Sequence, residues 1–390
     1  MSGTAIESAG NLPAGVIATP GPASTLPLDQ VPRAAWDGLA EAAIEPNAFF
    51  ASGYALPAFG CGPKQSSPQA LLAHSGTRLT GLLPVVWAWS ALRLPVPALV
   101  AQQPYSPLTV PLLCGAHAEQ AAGALIDAAK AVGARLLSLP AMTLDGPAFA
   151  ALTAAMKTRG LVATIHNEHE RAALDASQDA ESYLRSGFGS KRLKDLRRLR
   201  NRLEEEGRVA FTVARDPAAV TAALERFFAL EARGWKGQAG TGLGQRADDA
   251  AFAREAAGAG VFTIAELRVD DRAVASGIVL QQGNRALFFK IAYDEALARY
   301  SPGVQLTVEL TRLFAADPGI ALVDSTADAG HPMIDHVWRE RLSVGDMLIP
   351  THANDPIAGA IVALMAARRG LRGQLKGLVH RIKTVKETRT

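Results

Sequence analysis

Residues 285–314 read RALFFKIAYDEALARYSPGVQLTVELTRLF, and their reading decides the fold. The run Ala286–Tyr293 is short, apolar and rich in aromatic side chains, which predicts a strand. Leu306, Leu310, Leu313 and Phe314 recur at helical steps and predict a helix with one buried face. Ser301-Pro302-Gly303 joins the two. Ser301 suits the N-cap and Pro302 the first turn. The amides of Gly303, Val304 and Gln305 would then lack intrahelical partners, and the helix dipole would favour an anionic group beside them.

Two further apolar runs, Val261–Val269 and Ala273–Gln281, precede this stretch. The turns Asp270–Arg272 and Gln282–Asn284 separate them and predict an antiparallel meander. A strand at Val209–Val213 and a helix at Ala218–Arg233 come before it. A strand at Ile320–Ser325, a helix at Ile334–Arg341 and a strand at Asp346–Ile349 follow. The first half repeats the theme. It has a helix at Arg33–Ile44, a hairpin around Ser75–Arg78, helices at Ala118–Val132 and Phe149–Arg159, and strands at Arg135–Leu139 and Leu161–Ile165. Tyr-Ser-Pro occurs in both halves, at Tyr105–Pro107 and Tyr300–Pro302. A basic helix, Lys191–Arg202, opens the second half, with Ser190 as its N-cap and Gly207 as its stop. The expected fold class is α/β (α+β): two copies of one architecture, each a mixed, mostly antiparallel sheet flanked by helices.

The chain has 390 residues, 40 Lys and Arg, 37 Asp and Glu, and 48% hydrophobic residues, the balance of a soluble globular protein. The bases are unevenly placed. Residues 368–390 carry eight of them and one acid, so the remaining body is mildly acidic. Leu371, Leu375, Leu378 and Val379 give this tail an apolar side, the pattern of an interfacial membrane helix or a partner-binding helix. Two cysteines in no CxxC pattern, Cys61 and Cys114, argue against a disulfide scaffold or a Cys-based metal site. The N-terminus lacks the features of a secretory signal and reads as a disordered leader. A cytoplasmic protein, possible contact with the inner membrane face included, is the expectation. The predicted organisation is a leader (1–27), a first domain (28–178), a second domain carrying the site (179–350) and a basic amphipathic tail (351–390).

A meander feeding a Gly-containing hinge and a helix resembles the layout of the GNAT acyltransferases. Their hinge, Arg/Gln-x-x-Gly-x-Gly/Ala, holds the diphosphate of acyl-CoA. Arg299-Tyr-Ser-Pro-Gly-Val304 aligns with it, with Pro302 and Val304 where small residues are expected. Over Trp36–Ile349 the chain resembles the CelD-type acetyltransferases of cellulose and exopolysaccharide synthesis, relatives of the FemABX aminoacyl transferases with two GNAT-like domains in tandem. The stretches that carry this are EPNAFFASGYALPAF, LEARGWKGQAGTGL, FFKIAYDEALARYSPGVQL and HPMIDHVWRERLSVGDMLI. The resemblance implies an acyl-CoA-dependent transferase, acetyl-CoA first, acting on a hydroxyl or amine of a sugar or sugar-linked precursor. A FemABX-like use of aminoacyl-tRNA and a non-catalytic scaffold in a polysaccharide synthesis complex are the alternatives. The basic stretches lack the interleaved aromatics of an RNA-binding surface, which weighs against tRNA.

Acyl transfer from a thioester needs a deprotonated acceptor, an oxyanion stabiliser and a proton for the leaving thiolate. Asp324, at a strand end, and His331 are the candidate bases, with Glu231 as a base or acceptor anchor. Tyr293 is the candidate thiolate acid, and Tyr300 the alternative. Arg299, Tyr300, Ser301, Gly303, Val304 and Gln305 form the expected cofactor site. Trp235, Lys236 and Lys290 are the expected acceptor contacts. Each also has a plain reading as a core, cap or solvated residue. No metal is expected, since no third ligand accompanies His331 and His336.

Overall fold

The computed structural model describes residues 23–61, 68–101 and 105–370. The first half begins with strand β1 (Ala23–Pro27), helices α1 (Arg33–Glu41) and α2 (Ser52–Gly60), the hairpin β2 (Gln69–Ser75) and β3 (Arg78–Trp87), and α3 (Ala88–Leu92). It continues with β4 (Ala98–Val100), β5 (Leu112–Leu113), α4 (Ala118–Ala131), β6 (Leu136–Thr143), α5 (Pro147–Thr158) and β7 (Thr164–Asp175). The second half opens with α6 (Ala180–Glu204), β8 (Val209–Ala214), α7 (Pro217–Arg233), α8 (Trp235–Gln238) and α9 (Ala247–Gly258). The meander follows: β9 (Thr263–Val269), β10 (Arg272–Gln282) and β11 (Arg285–Tyr293). Then come α10 (Pro302–Ala315), β12 (Leu322–Asp324), β13 (Glu340–Pro350) and a final helix over 356–370.

Among the described residues thirteen strands join one sheet, ordered β1-β2-β3-β4-β6-β13-β7-β12-β11-β10-β9-β8, with β5 beside β3. Read from either edge, the sheet shows three antiparallel pairings, one parallel pairing, then antiparallel pairings to the centre. This is the sheet pattern of an internal two-fold repeat. The last strand of each half lies deep in the other's territory. β7 pairs with β12, and β13 lies between β6 and β7. The expected division at 178/179 falls between β7 and α6, and the sheet runs unbroken across it.

The meander forms because β10 is apolar along nearly its whole length and is buried on both faces. Its turns need left-handed backbone, supplied by Asp270 (φ 50°) and Gly283 (φ 52°). β11 carries a bulge at Phe289, where the register passes from Lys290 opposite Ile278 to Phe288 opposite Val279. A bulge bends its strand. β11 pairs with β12 only over Arg285–Leu287, so its C-terminal half is free to part from that neighbour. On α10, Leu306, Leu310 and Phe314 face the core with Thr307 and Thr311. Trp338 is fully buried on the approach to β13 and donates from Nε1 to Thr311 Oγ1 at 2.9 Å, fixing the rotation of α10.

Four expectations change. Ala23–Pro27, read as part of the leader, is an edge strand on β2. An edge strand tolerates its terminal Pro, because one side of its backbone needs no ladder partner. The predicted helix at Ile334–Arg341 is only a 3-10 turn, Ile334–His336, because Glu340 onward is drawn into pairing with β7. The basic helix is the second part of α6, which starts at Ala180 with Asp179 as its cap and breaks at Gly189 (φ 69°). The strand expected at Leu161–Ile165 is β7, which starts only at Thr164 and runs on to Asp175. The leader before residue 23 and the tail beyond residue 370 lie outside the described residues.

Candidate active site

A cavity of about 580 Å³ opens where β11 leaves β12. Ile291 and Tyr293 come from β11, and Ser301, Pro302, Gly303 and Val304 from the hinge and first turn of α10. Trp235 comes from α8, and His331 and Met333 from the loop before β13. Elements more than sixty positions apart thus converge on the point where the sheet opens.

The hinge is built differently from a capped helix start. Glu295–Tyr300 is a 3-10 turn that runs directly into α10, and Ser301 is the corner between them, in left-handed backbone (φ 52°, ψ 50°). Ser301 therefore makes no side-chain cap, contrary to expectation. The Gln305 amide is also not free, since it donates to Ser301 O at 3.0 Å. The Gln305 side chain turns away and donates from Nε2 to Tyr300 O at 2.8 Å. Two amides remain at the cavity without a partner among the described residues, those of Gly303 and Val304. Pro302 starts the helix without an amide of its own. Gly303 is needed for space. A Cβ there would stand 3.0 Å from Met333 Sδ and 3.3 Å from Tyr293 Cδ1.

Arg299 and Tyr300, expected to bind the cofactor, point elsewhere. Arg299 donates to Glu206 Oε1 at 3.0 Å and lies over the Tyr300 ring at 4.7 Å. Tyr300 Oη donates to the same Glu206 oxygen at 2.6 Å. The hydrogen bonds from Tyr300 and then Arg299 hold the Glu206 carboxyl below the usual carboxylate range. This trio fastens the hinge to the end of α6. Arg299→Ala is therefore expected to change acyl-CoA affinity less than about threefold, as for an exposed ion pair off the site. Calorimetry checks this, and a loss above about tenfold would place Arg299 on the ligand instead.

Asp324 is not a base at the mouth of the cleft. It is fully buried, and its Oδ2 accepts from Arg171 Nη2 at 2.5 Å and Arg285 Nη2 at 2.8 Å. Its Oδ1 accepts from the Thr326 amide at 2.8 Å. Burial pushes its carboxyl up, but Arg171 and Arg285 outweigh burial and hold it below the usual range. Arg285 also reaches Glu45 Oε1 at 3.1 Å, and Arg171 donates to Pro107 O at 2.8 Å. These buried charges join β7, β11 and β12 to loops of the first half.

His331 lines the cavity, and its Nδ1 accepts from the Met333 and Ile334 amides at 3.3 and 3.4 Å. With Nδ1 accepting, a neutral ring has its proton on Nε2. Glu231 is buried on α7 and accepts the Leu243 amide on Oε2 at 2.5 Å. It lines a shallow cleft beside the cavity with Trp235, Tyr293 and Glu295. Glu295 was not singled out from the sequence. It accepts the Trp235 amide at 2.6 Å and so helps place that ring, which is 58% exposed. Lys290 sits at the bulge, 5.1 Å over the Phe289 ring, and is not part of the cavity wall. Lys236 lies in α8, and its side chain is outside the described residues. No group of metal-ligating side chains occurs among the described residues.

Residues 190–331 match the model of the acetyltransferase (GNAT) domain family. No curated protein sequence matches the chain. Among solved structures, FemX aligns with a TM-score of 0.55 at 10% identity, covering 83% of this chain and 96% of that one. The C-terminal domain of a putative lysylphosphatidylglycerol synthetase from Agrobacterium fabrum aligns with a TM-score of 0.55 at 14% identity, covering 86% and 95%. A conserved protein of unknown function from Bacteroides thetaiotaomicron aligns at 0.52 and 14%, covering 82% and 97%. At these identities the likeness is one of fold. The cavity residues from Trp235 to His331 all lie within the matched segment. Residues 190–331 are thus similar to the acetyltransferase (GNAT) domain family, and the continuous sheet in which they lie has a fold similar to that of FemX.

Proposed function

We propose that the protein transfers an acyl group, acetyl first, from acyl-CoA to a hydroxyl or amine of a saccharide or saccharide-linked precursor. The observation that carries this reading is the cavity where β11 and β12 part, with the Gly303 and Val304 amides at one wall. Those amides and the start of α10 suit the diphosphate. The thioester would then extend along the free edge of β11 beside Tyr293. Tyr293 gives its phenolic proton to the leaving thiolate as the acyl carbon passes to the acceptor. Trp235 offers an exposed ring against which a sugar can stack. Glu231, at the adjoining cleft, takes the acceptor proton. His331 donates from Nε2 to an acyl-CoA or acceptor oxygen.

The saccharide acceptor rests on the resemblance to CelD-type proteins and on the exposed Trp235. The test is release of free CoA thiol from acetyl-CoA by the full chain, with amino sugars, neutral sugars and charged tRNA offered separately. Sugar-dependent release supports the proposal. Transfer only from aminoacyl-tRNA, with steep salt dependence, would overturn it in favour of a FemABX-like activity. No transfer from either donor would favour the scaffold reading.

Gly303→Val would place methyl groups against Met333 and Tyr293. Overpacking of this kind costs about 1–3 kcal/mol, so acetyl-CoA affinity should fall about tenfold or more. The cavity is open, so the fold should hold. Calorimetry and a thermal melt on the same sample check both statements. Among the described residues no helix is long and apolar enough to cross a membrane. Peripheral contact through the basic tail is proposed on its sequence alone, and deletion from Arg368 with a membrane partition assay tests it.

A further inference from the structure

The internal repeat of the sheet has a second parallel step, where β4 pairs with β6 over Ala98–Val100. It is as short as the β11–β12 step, with three paired residues in each. A cavity of about 300 Å³ opens there too. Leu92, Leu94, Val100 and Met365 make its wall apolar, and Arg369 of the final helix closes its polar end. Ser106, from the first Tyr-Ser-Pro, lines this cavity as Ser301, from the second, lines the larger one. The repeat that was only three residues long in sequence thus marks equivalent places in the fold.

The polar end is incompletely satisfied. Asp346 accepts from Arg369 Nη1 at 3.0 Å, Asn167 Nδ2 at 2.6 Å and the Ala141 amide at 3.2 Å. Arg369 Nη2 is buried and has no hydrogen-bond partner among the described residues. Arg368 also lines the cavity. Ala141, on the wall, holds left-handed backbone (φ 53°), which is unfavourable for a residue with a Cβ. A buried donor without an acceptor is costly, and an anionic oxygen would relieve it.

We propose that this cavity binds a medium-chain aliphatic carboxylate, its chain on the apolar wall and its carboxylate on Arg369 Nη2. The size is at the low end of ligand cavities, about 300–1,000 Å³. None of its wall comes from the first turn of a long helix, so it lacks the amide cradle that a diphosphate needs. The site is separate from the acyl-CoA cavity, and neither reading depends on the other.

Octanoate and 1-octanol, titrated calorimetrically into the full chain, test the proposal. Octanoate should bind saturably, one per chain, and the alcohol about tenfold more weakly or worse, since a neutral hydroxyl replaces the anionic acceptor opposite the guanidinium. Arg369→Met should bring octanoate to the level of the alcohol. Leu94→Trp, which fills the cavity without touching the ion pair, should abolish binding of both. Acetyl-CoA binding should be unchanged in both variants. Equal affinity for acid and alcohol, no saturable octanoate binding at millimolar concentration, or octanoate binding unaffected by both variants would each overturn it.

Discussion

Asp324→Asn is expected to destabilise the protein by about 3–5 kcal/mol, the scale for removing one partner of a buried ion pair. Arg171 and Arg285 would be left facing an amide, each with its charge buried and under-compensated. The loss follows from geometry, since the side chain is sealed from solvent. The pH dependence has a definite sign. The folded Asp324 carboxyl is held below the usual range, so its contribution is complete above the ordinary carboxylate pKa. It is lost as pH falls through the depressed folded value. Denaturant unfolding across an acid series should show the gap between parent and variant closing at low pH. Any variant molecules that remain folded should keep the parent's pH–rate profile. A variant as stable as the parent but inactive would restore Asp324 as a catalytic base.

Tyr293→Phe is expected to lower kcat about 100-fold, the lower end of what general acid catalysis contributes. The ring is kept, so the contact surface toward Gly303 is kept, and acetyl-CoA affinity should stay within about twofold, the effect of losing at most a weak hydrogen bond. That split between turnover and binding distinguishes a proton donor from a wall residue. Thiol release under saturating acetyl-CoA, beside calorimetry on the same preparation, measures it. Unchanged turnover would remove Tyr293 from the chemistry, and an equal fall in affinity and turnover would make it a binding residue only.

Some of this was legible in the sequence because the interactions are local. The meander announces itself by apolar runs and tight turns, and α10 by the spacing of Leu306, Leu310 and Phe314. Trp235, Tyr293, Gly303, Val304 and His331 were singled out separately, and the fold brings them to one cavity. The failures come from partners distant in sequence. Asp324 looked like a base at a strand end because Arg285 and Arg171 are 39 and 153 residues away. Glu340–Pro350 looked partly helical because β6 and β7, which capture it, belong to the other half. Ser301 looked like a cap because the 3-10 turn before it, which forces the left-handed corner, has no strong sequence signature. Glu295 was passed over because the amide it accepts belongs to Trp235, sixty residues earlier.

In the proposed mode of binding, the cavity between β11 and α10 holds acyl-CoA by the Gly303 and Val304 amides. The most direct measurement is calorimetric titration of the full chain with acetyl-CoA, beside Gly303→Val and beside dephosphorylated pantetheine as a ligand without the diphosphate. Acetyl-CoA should bind saturably, one per chain, and about tenfold or more weakly after Gly303→Val or loss of the diphosphate. Absence of heat and of any thermal shift at millimolar acetyl-CoA, or binding indifferent to both changes, would contradict it.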